Sequence, residues 1–147
     1  MVKPNGSVFR QVESYNMPDI YILEISSDYS REEIAGAFLD VPGNTLHCES
    51  DDELEIYLSD EQVLAVIKRP FREDHPPLAE GIGSPEWSVA YKAILYPNRN
   101  DQRLLSGMKD VLENLARHND GSFVFSYQLD FSYVYFHCGK LIINIDF

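Results

Sequence analysis

Short strand-like segments joined by very short links are the feature that most limits how this chain can fold. The segments TLHCE (45–49), ELEIYL (53–58) and QVLAVIKR (62–69) follow one another with only three residues between neighbours. Apolar and polar residues alternate most clearly in the second segment, which is typical of a strand with one buried face. Links of this length join antiparallel neighbours and are too short for the crossover between parallel strands. This region therefore predicts an antiparallel meander.

The remaining strand-like segments are placed around two helical patterns. A second series of short segments closes the chain, at 122–128, 131–137 and 140–147, and two further strands are predicted at 19–26 and 87–96. In the first helical pattern Ser30 and Glu33 have the spacing of a capping box, and that helix runs to about Asp40. The second pattern, at 100–121, has one wide apolar stripe made of Leu104, Leu105, Met108, Val111, Leu112 and Leu115.

The resulting order of elements is β-α-β-β-β-β-α-β-β-β. Consecutive strands with short links favour a mainly antiparallel sheet of about six to eight strands, with both helices covering one face. The prediction is an α+β two-layer sandwich. Residues 1–18 lack periodicity and contain Pro, Gly and Asn, so we expect a loose N-terminal arm before a single domain at 19–147.

The last hairpin can be placed in register from its turn. Gly139 supplies the positive φ that a two-residue Cys138-Gly139 turn needs, which sets His137 opposite Lys140 and Phe136 opposite Leu141. Because opposed residues share a face, one face is predicted to join the core and contains Val134, Phe136, Leu141, Ile143 and Ile145. The other face is half aromatic and half polar and contains Phe131, Tyr133, Tyr135, His137, Ile142, Asn144 and Asp146. Such a face suits either protein contact or an ordinary solvent-facing sheet.

Negative charge is concentrated in one segment. The chain has 12 Lys and Arg against 24 Asp and Glu, a net charge of −12. Nucleic acid and anionic membrane are disfavoured as partners, because both attract Lys and Arg. From residue 81 onward six basic and seven acidic residues nearly balance, whereas ESDDELEIYLSDE (49–61) contains no basic residue. The segment lacks the spacing of a calcium-binding EF-hand loop. It therefore indicates either a solvated hairpin or a surface for a basic protein.

Two His-Cys pairs, His47-Cys48 and His137-Cys138, contain both cysteines of the chain. Adjacent side chains of a regular strand point to opposite faces. This alternation predicts that Cys48 faces the core and His47 faces outward, so the pair does not converge on one ion. No metal-ligand spacing, phosphate-binding loop or catalytic motif is present. We therefore expect no shared metal site, no cofactor and no catalytic residues.

These patterns favour a small, acidic, non-catalytic binding protein. By analogy with a functional class, we expect an immunity protein that neutralises a basic partner, such as a toxic bacterial nuclease, by occluding its active site. The sequence has no signal peptide and no apolar run long enough to span a membrane, which favours the cytoplasm and reduced thiols. The candidate partner-binding residues are Glu49, Asp51, Asp52, Glu53, Glu55, Tyr57, Asp60, Glu61, Tyr133 and Tyr135.

The alternative is a small-ligand-binding or enzymatic domain. The segment from Pro70 to Glu86 contains four prolines and two glycines and has no periodicity. Long loops in compact domains are often functional. A pocket between this loop and the sheet, with His75 as its main polar group, would then hold the ligand.

Overall fold

The computed structural model describes residues 20–70, 75–83, 85–97 and 101–144. Within these ranges one antiparallel sheet of eight strands carries two helices on one face, which confirms the predicted α+β sandwich. The predicted arm at 1–18 lies outside the described residues. The elements, in chain order, are β1 (Tyr21–Ser26), α1 (Arg31–Leu39), β2 (Thr45–Glu49), β3 (Glu53–Leu58), β4 (Val63–Lys68), β5 (Val89–Pro97), α2 (Asp101–His118), β6 (Phe123–Tyr127), β7 (Phe131–His137) and β8 (Lys140–Ile143).

Strand β1, the first in the chain, lies inside the sheet. The strand order is β2-β3-β4-β5-β1-β6-β7-β8, and each neighbouring pair is antiparallel. One meander, β2–β5, lies on one side of β1, and a second meander, β6–β8, lies on the other. Each meander follows from its own local sequence, but only the pairing of β1 with β5 and with β6 joins them into one sheet.

The hydrophobic core lies between the sheet and the two helices. From β1 it receives Tyr21, Leu23 and Ile25, and from β3 it receives alternate residues of ELEIYL, as the alternation predicts. All six residues of the apolar stripe predicted for α2 are buried. The sheet face opposite the helices is called the open face below.

Hydrogen bonds from the segment before α1 hold the C-terminal end of α2. The last carbonyls of a helix have no partner within the helix. The buried hydroxyl of Tyr29 donates to the Leu115 carbonyl oxygen at 2.9 Å, and the Asn119 side chain donates to the Asp28 carbonyl oxygen at 3.1 Å. Burial raises the pKa of Tyr29, so the hydroxyl keeps its proton. The two helices are therefore fixed to each other by polar contacts as well as by the core.

Helix α1 begins with the predicted capping box. The Glu33 amide donates to the Ser30 hydroxyl at 3.1 Å, and the Ser30 amide donates to the Glu33 carboxylate at 2.7 Å. His118 of α2 also contacts this carboxylate, at 2.6 Å. The Ser30 backbone bond is the largest cause that holds the pKa of Glu33 below its ordinary value.

The last hairpin has the predicted register but not the predicted burial. Residues 138 and 139 both have positive φ, 54° and 75°, and His137 pairs with Lys140 as expected. The side chains of Leu141 and Ile143, predicted to lie in the core, are 38% and 51% exposed. Strand β8 is the edge of the sheet, and all four of its residues are exposed. The prediction that Leu141 and Ile143 lie in the core was wrong. Alternation indicates which face of the sheet a residue occupies, but not how far the layer of helices extends over that face.

Removal of the Tyr29 hydroxyl tests the contact between the helices. Tyr29→Phe keeps the buried ring and leaves the Leu115 carbonyl without its side-chain donor, so we expect a loss of about 1–2 kcal/mol in the free energy of unfolding. Urea unfolding measures this change. The exposed Tyr96 is a matched control, and Tyr96→Phe should change stability by less than about 0.5 kcal/mol. Equal effects of the two substitutions would contradict the proposed contact.

Candidate functional site

The predicted acidic residues lie along one edge of the sheet. Strand β2 is the edge strand and β3 is its neighbour. The polar residues of β3 are half-buried on the open face, while its apolar residues are buried against the helices. Glu49 is the last residue of β2 and pairs with the buried Leu54, and the two turns at the ends of β3 carry the other carboxylates. We call this set the acidic strip, and it consists of Glu49, Asp51, Asp52, Glu53, Glu55, Asp60 and Glu61.

A bulge in β2 changes the predicted orientation of the first His-Cys pair. Leu46 pairs with Ile56 and Cys48 pairs with Glu55, so His47 is an extra residue between two consecutive partners. A bulge of this kind interrupts the alternation of faces. Cys48 is exposed rather than directed into the core, and the prediction for Cys48 was therefore wrong.

His47 contacts the polar face of β3. Its ring centroid lies 4.8 Å from that of Tyr57, and its Nε2 lies 3.9 Å from Oε1 of Glu55. The candidate residues Glu55 and Tyr57 thus share their surface with His47, which the alternation also predicted to face outward.

Arg31 holds the turn between β2 and β3 by binding backbone carbonyl groups of that turn. Its guanidinium donates to the carbonyl oxygen of Ser50 and, at 3.2 Å, to that of Asp51. It also lies 3.8 Å from the Glu49 carboxylate, in an exposed ion pair. Arg31 therefore binds mainly carbonyl groups of this turn, and Asp51 stays exposed.

The turn between β3 and β4 has an unusual backbone that is held from outside. Ser59, Asp60 and Glu61 have φ values of 53°, 56° and 73°, a left-handed conformation that costs on the order of 1 kcal/mol per non-glycine residue. The Ser59 amide donates to the Asn44 side chain and the Asp60 amide donates to the Gly43 carbonyl oxygen, both at 3.0 Å. These bonds offset the strain and hold the backbone of a turn that carries two exposed carboxylates, Asp60 and Glu61.

The charge of the acidic strip is only partly neutralised. Across β3 and β4, Glu53 lies opposite Lys68 in the register. Five of the seven carboxylates have no Lys, Arg or His of the described residues within ion-pair distance, and these are Asp51, Asp52, Glu53, Asp60 and Glu61. Arg31, Lys68 and Arg69 nevertheless line one depression with the first three of them. Because β3 has six residues, the strip extends about 20 Å from one turn to the other.

A second bulge separates the two candidate tyrosines. Phe125 pairs with Val134 and the next residue, Ser126, pairs with Ser132, so Tyr133 is the extra residue of β7. Tyr133 consequently points to the same side as Val134, which is the core side. The predicted common face of Tyr133 and Tyr135 was wrong because it assumed strict alternation along β7.

The contacts of the two tyrosines agree with this separation. The Tyr133 ring packs against the core, 6.0 Å from the ring of Tyr21. The Tyr135 hydroxyl lies on the open face and accepts a hydrogen bond from Nε1 of Trp87 at 3.2 Å. Five strand spacings separate β3 from β7, which corresponds to about 24 Å. The ten candidate residues therefore do not form one compact site.

The loop before β5 covers the open face at β1, where a buried carboxylate holds it. Both oxygens of Glu24 accept backbone hydrogen bonds, from the amide of Leu78 at 2.8 Å and from that of Ala79 at 3.0 Å. The Glu80 amide donates to the Leu129 carbonyl oxygen at 2.9 Å. The part of the loop near residue 78 is thus tied directly to the sheet.

Desolvation dominates the electrostatics of Glu24. Its side chain is fully buried, and burial raises the pKa of Glu24 above its ordinary value against the opposing effects of the two amides, Lys92 and His75. Sequence reasoning did not select this residue. The sequence did contain a signal for Glu24, which is the single charged residue within the apolar strand YILEIS. Because a buried charge requires partners, such a residue indicates a polar contact inside the protein.

An open cleft lies where the loop returns to the sheet. Its volume is about 710 Å³. His75, the residue favoured by the ligand-binding alternative, does not line this cleft, and its Nδ1 lies 2.7 Å from the Pro76 carbonyl oxygen. Residues 71–74 of the predicted functional loop lie outside the described residues. We call this depression the aromatic cleft, and its lining consists of Ile82, Pro85, Glu86, Trp87, Tyr135 and His137.

The two His-Cys pairs lie in different parts of the sheet. His47 and Cys48 belong to the edge strand β2, whereas His137 and Cys138 lie at the β7–β8 turn near the opposite edge. They are too far apart to form one site. In the described residues no group of three or more His, Cys, Asp or Glu side chains is arranged to hold a metal ion.

Comparison with known proteins gives no relative. No protein-family model, curated protein or solved structure matches the chain. None of the helices in the described ranges is both long and apolar enough to cross a membrane.

A pH series on Glu24→Gln tests the buried carboxylate. Because the folded-state pKa of Glu24 is raised, the folded protein binds this proton more tightly than the unfolded chain does. That stabilisation is fully present below the ordinary pKa and is lost as pH rises through the raised one. The stability of the wild type relative to the Gln variant should therefore fall with rising pH across this window.

Urea unfolding at each pH gives the required free energies. Glu113→Gln, at an exposed position of α2, corrects for the loss of one negative charge. A difference between wild type and Glu24→Gln that rose with pH would contradict the assignment.

Proposed function

We propose that this protein neutralises a basic protein partner by covering its active site, as immunity proteins do with bacterial toxins. The acidic strip is the main contact surface in this proposal. The observation that carries it is that five of the seven carboxylates of the strip have no ion pair with the described residues, while hydrogen bonds hold the backbone of both turns.

Carboxylates that lack ion-pair partners and lie on an ordered backbone favour binding in two ways. Long-range attraction accelerates the encounter with a basic surface, and this effect weakens as salt is added. A backbone that is already ordered loses little conformational entropy on binding. Arg31 and Asn44 provide this order at the two turns by binding backbone groups.

The open face supports an interface that extends beyond the strip. In the register, Glu55 lies beside Val66, Val66 beside Ile94, and Ile94 beside Ile22. These three apolar residues are half-buried on the open face. Protein interfaces commonly combine a less charged centre with a polar rim. The row from Glu55 to Ile22 has this composition.

Charge reversal in the strip tests the proposed contact. Asp52→Lys combined with Glu61→Lys changes one exposed carboxylate at each end of the strip. The partner to be tested is the product of the gene beside that of this protein, provided that it has a basic domain. We expect the association rate at low salt to fall roughly tenfold or more. Stopped-flow association at several salt concentrations measures the rate and its salt dependence.

The matched control is a double reversal on the helical face. Asp110→Lys combined with Glu113→Lys changes the net charge equally at two exposed positions of α2. This variant should keep the wild-type rate within about twofold. Equal rates and equal salt dependence for the two double variants would disprove contact through the strip.

Neutralisation itself is tested in cells. Expression of the partner's basic domain should stop growth of a bacterial host, and co-expression of the wild-type protein should restore it. The strip variant should protect less well than the control variant at equal protein levels. A basic domain that is harmless when expressed alone would overturn the toxin part of the proposal.

A further inference from the structure

The aromatic cleft is a separate feature of the open face. Its walls come from the end of the loop before β5 and from β7, about five strand spacings from the acidic strip. Three of its six lining residues have aromatic rings, and these are Trp87, Tyr135 and His137. The cleft therefore brings three π-faces together at one place on the open face.

Hydrogen bonds and stacking hold these rings in place. Nε1 of Trp87 donates to the Tyr135 hydroxyl oxygen at 3.2 Å. The rings of Tyr135 and His137 are nearly parallel, at 9°, with centroids 6.0 Å apart. Nδ1 of His137 lies 2.6 Å from the hydroxyl oxygen of Ser122. A ligand in the cleft would thus meet side chains whose positions are already restricted, which lowers the entropic cost of binding.

The charge of the lining favours a cation. Glu86 is the one acidic residue among the six, and the six include no Lys or Arg. The faces of aromatic rings attract cations, most strongly for Trp. An anion would meet Glu86 and a chain with a net charge of −12. The cleft therefore selects against phosphates and carboxylates.

A guanidinium group fits these features better than an ammonium group does. It is planar and stacks on aromatic faces, and it donates two parallel hydrogen bonds to a carboxylate. Ile82 and Pro85 add apolar surface suited to the methylene groups of an arginine side chain. A lysine ammonium has the charge without the planar stacking surface.

We infer that the aromatic cleft binds a guanidinium group, the side chain of an arginine that the basic partner presents. That the arginine comes from the basic partner rests on the proposed function above. The preference of the cleft for a guanidinium group rests on the lining of the cleft alone. Acidic strip and aromatic cleft then form two contacts about five strand spacings apart, one steering the partner and one holding a single side chain.

The binding of guanidinium can be measured without the partner. Trp87 is the only tryptophan of the chain, so its fluorescence reports on the cleft. Titration with N-acetyl-arginine amide should give a saturable change. The lysine analogue should bind more weakly, and the neutral citrulline analogue, which has nearly the same shape, should give no saturable change.

Variants at one charged position complete this test. Glu86→Gln should weaken arginine-amide binding at least about threefold, while Glu113→Gln, the same change at an exposed site on α2, should leave it unchanged. Near-ultraviolet circular dichroism checks that Glu86→Gln keeps the wild-type fold. Saturable binding of citrulline amide with equal affinity, no saturable binding of arginine amide, or no effect of Glu86→Gln would each overturn the cleft assignment.

A second measurement separates the cleft from the proposed function. Glu86→Gln should increase the dissociation rate of the complex with the basic partner and leave the salt dependence of association close to that of the wild type. An unchanged dissociation rate, with arginine amide still bound by the wild type, would overturn the partner as the source of the guanidinium. Failure of the acidic-strip variants to slow association would instead overturn the proposed function and leave the arginine-amide result standing.

Discussion

Pairing of β1 with two neighbours is the contact on which the rest of the structure depends. Each meander could form from its own local sequence, but a single sheet exists because β1 pairs with β5 along one edge and with β6 along the other. The same strand contributes Leu23 and Ile25 to the core and Glu24 to the open face. Both faces of the protein are therefore organised by six residues near the middle of the sheet.

The sequence was sufficient to predict the elements because their signals are local. Alternation placed the apolar residues of β3 correctly, a capping box marked the start of α1, and a continuous stripe identified the buried side of α2. The predicted order of strands and helices agrees with the structure. The turn at Gly139 fixed the register of the last hairpin for the same reason, since the conformation of a two-residue turn determines which residues pair.

The orientation of particular side chains could not be predicted in the same way. One extra residue at His47 places Cys48 opposite Glu55, and one extra residue at Tyr133 turns that tyrosine towards Tyr21. A bulge leaves little trace in the apolar pattern, because a strand with apolar residues on both faces tolerates either orientation. The two bulges explain why Tyr133 and Tyr135 were wrongly assigned to one surface.

Glu24 illustrates a limit set by distance along the chain. Its partners, the amides of Leu78 and Ala79, lie more than fifty residues away and have no side-chain signature. Backbone donors are identical along the whole loop, so the sequence cannot indicate which of them a buried carboxylate will select. The position of the loop, and with it the aromatic cleft, follows from this contact and from the Glu80–Leu129 bond.

The relative placement of strip and cleft limits the kind of partner that could use both. Glu53 and Glu55 of the strip and the aromatic cleft lie on the open face, about 24 Å apart across the sheet, with the apolar row of Val66, Ile94 and Ile22 between them. An interface of standard size, about 800 Å² on each partner, is roughly 30 Å across and would include both features. A partner matched to this face needs basic groups near one end, a less charged centre and an arginine near the other end.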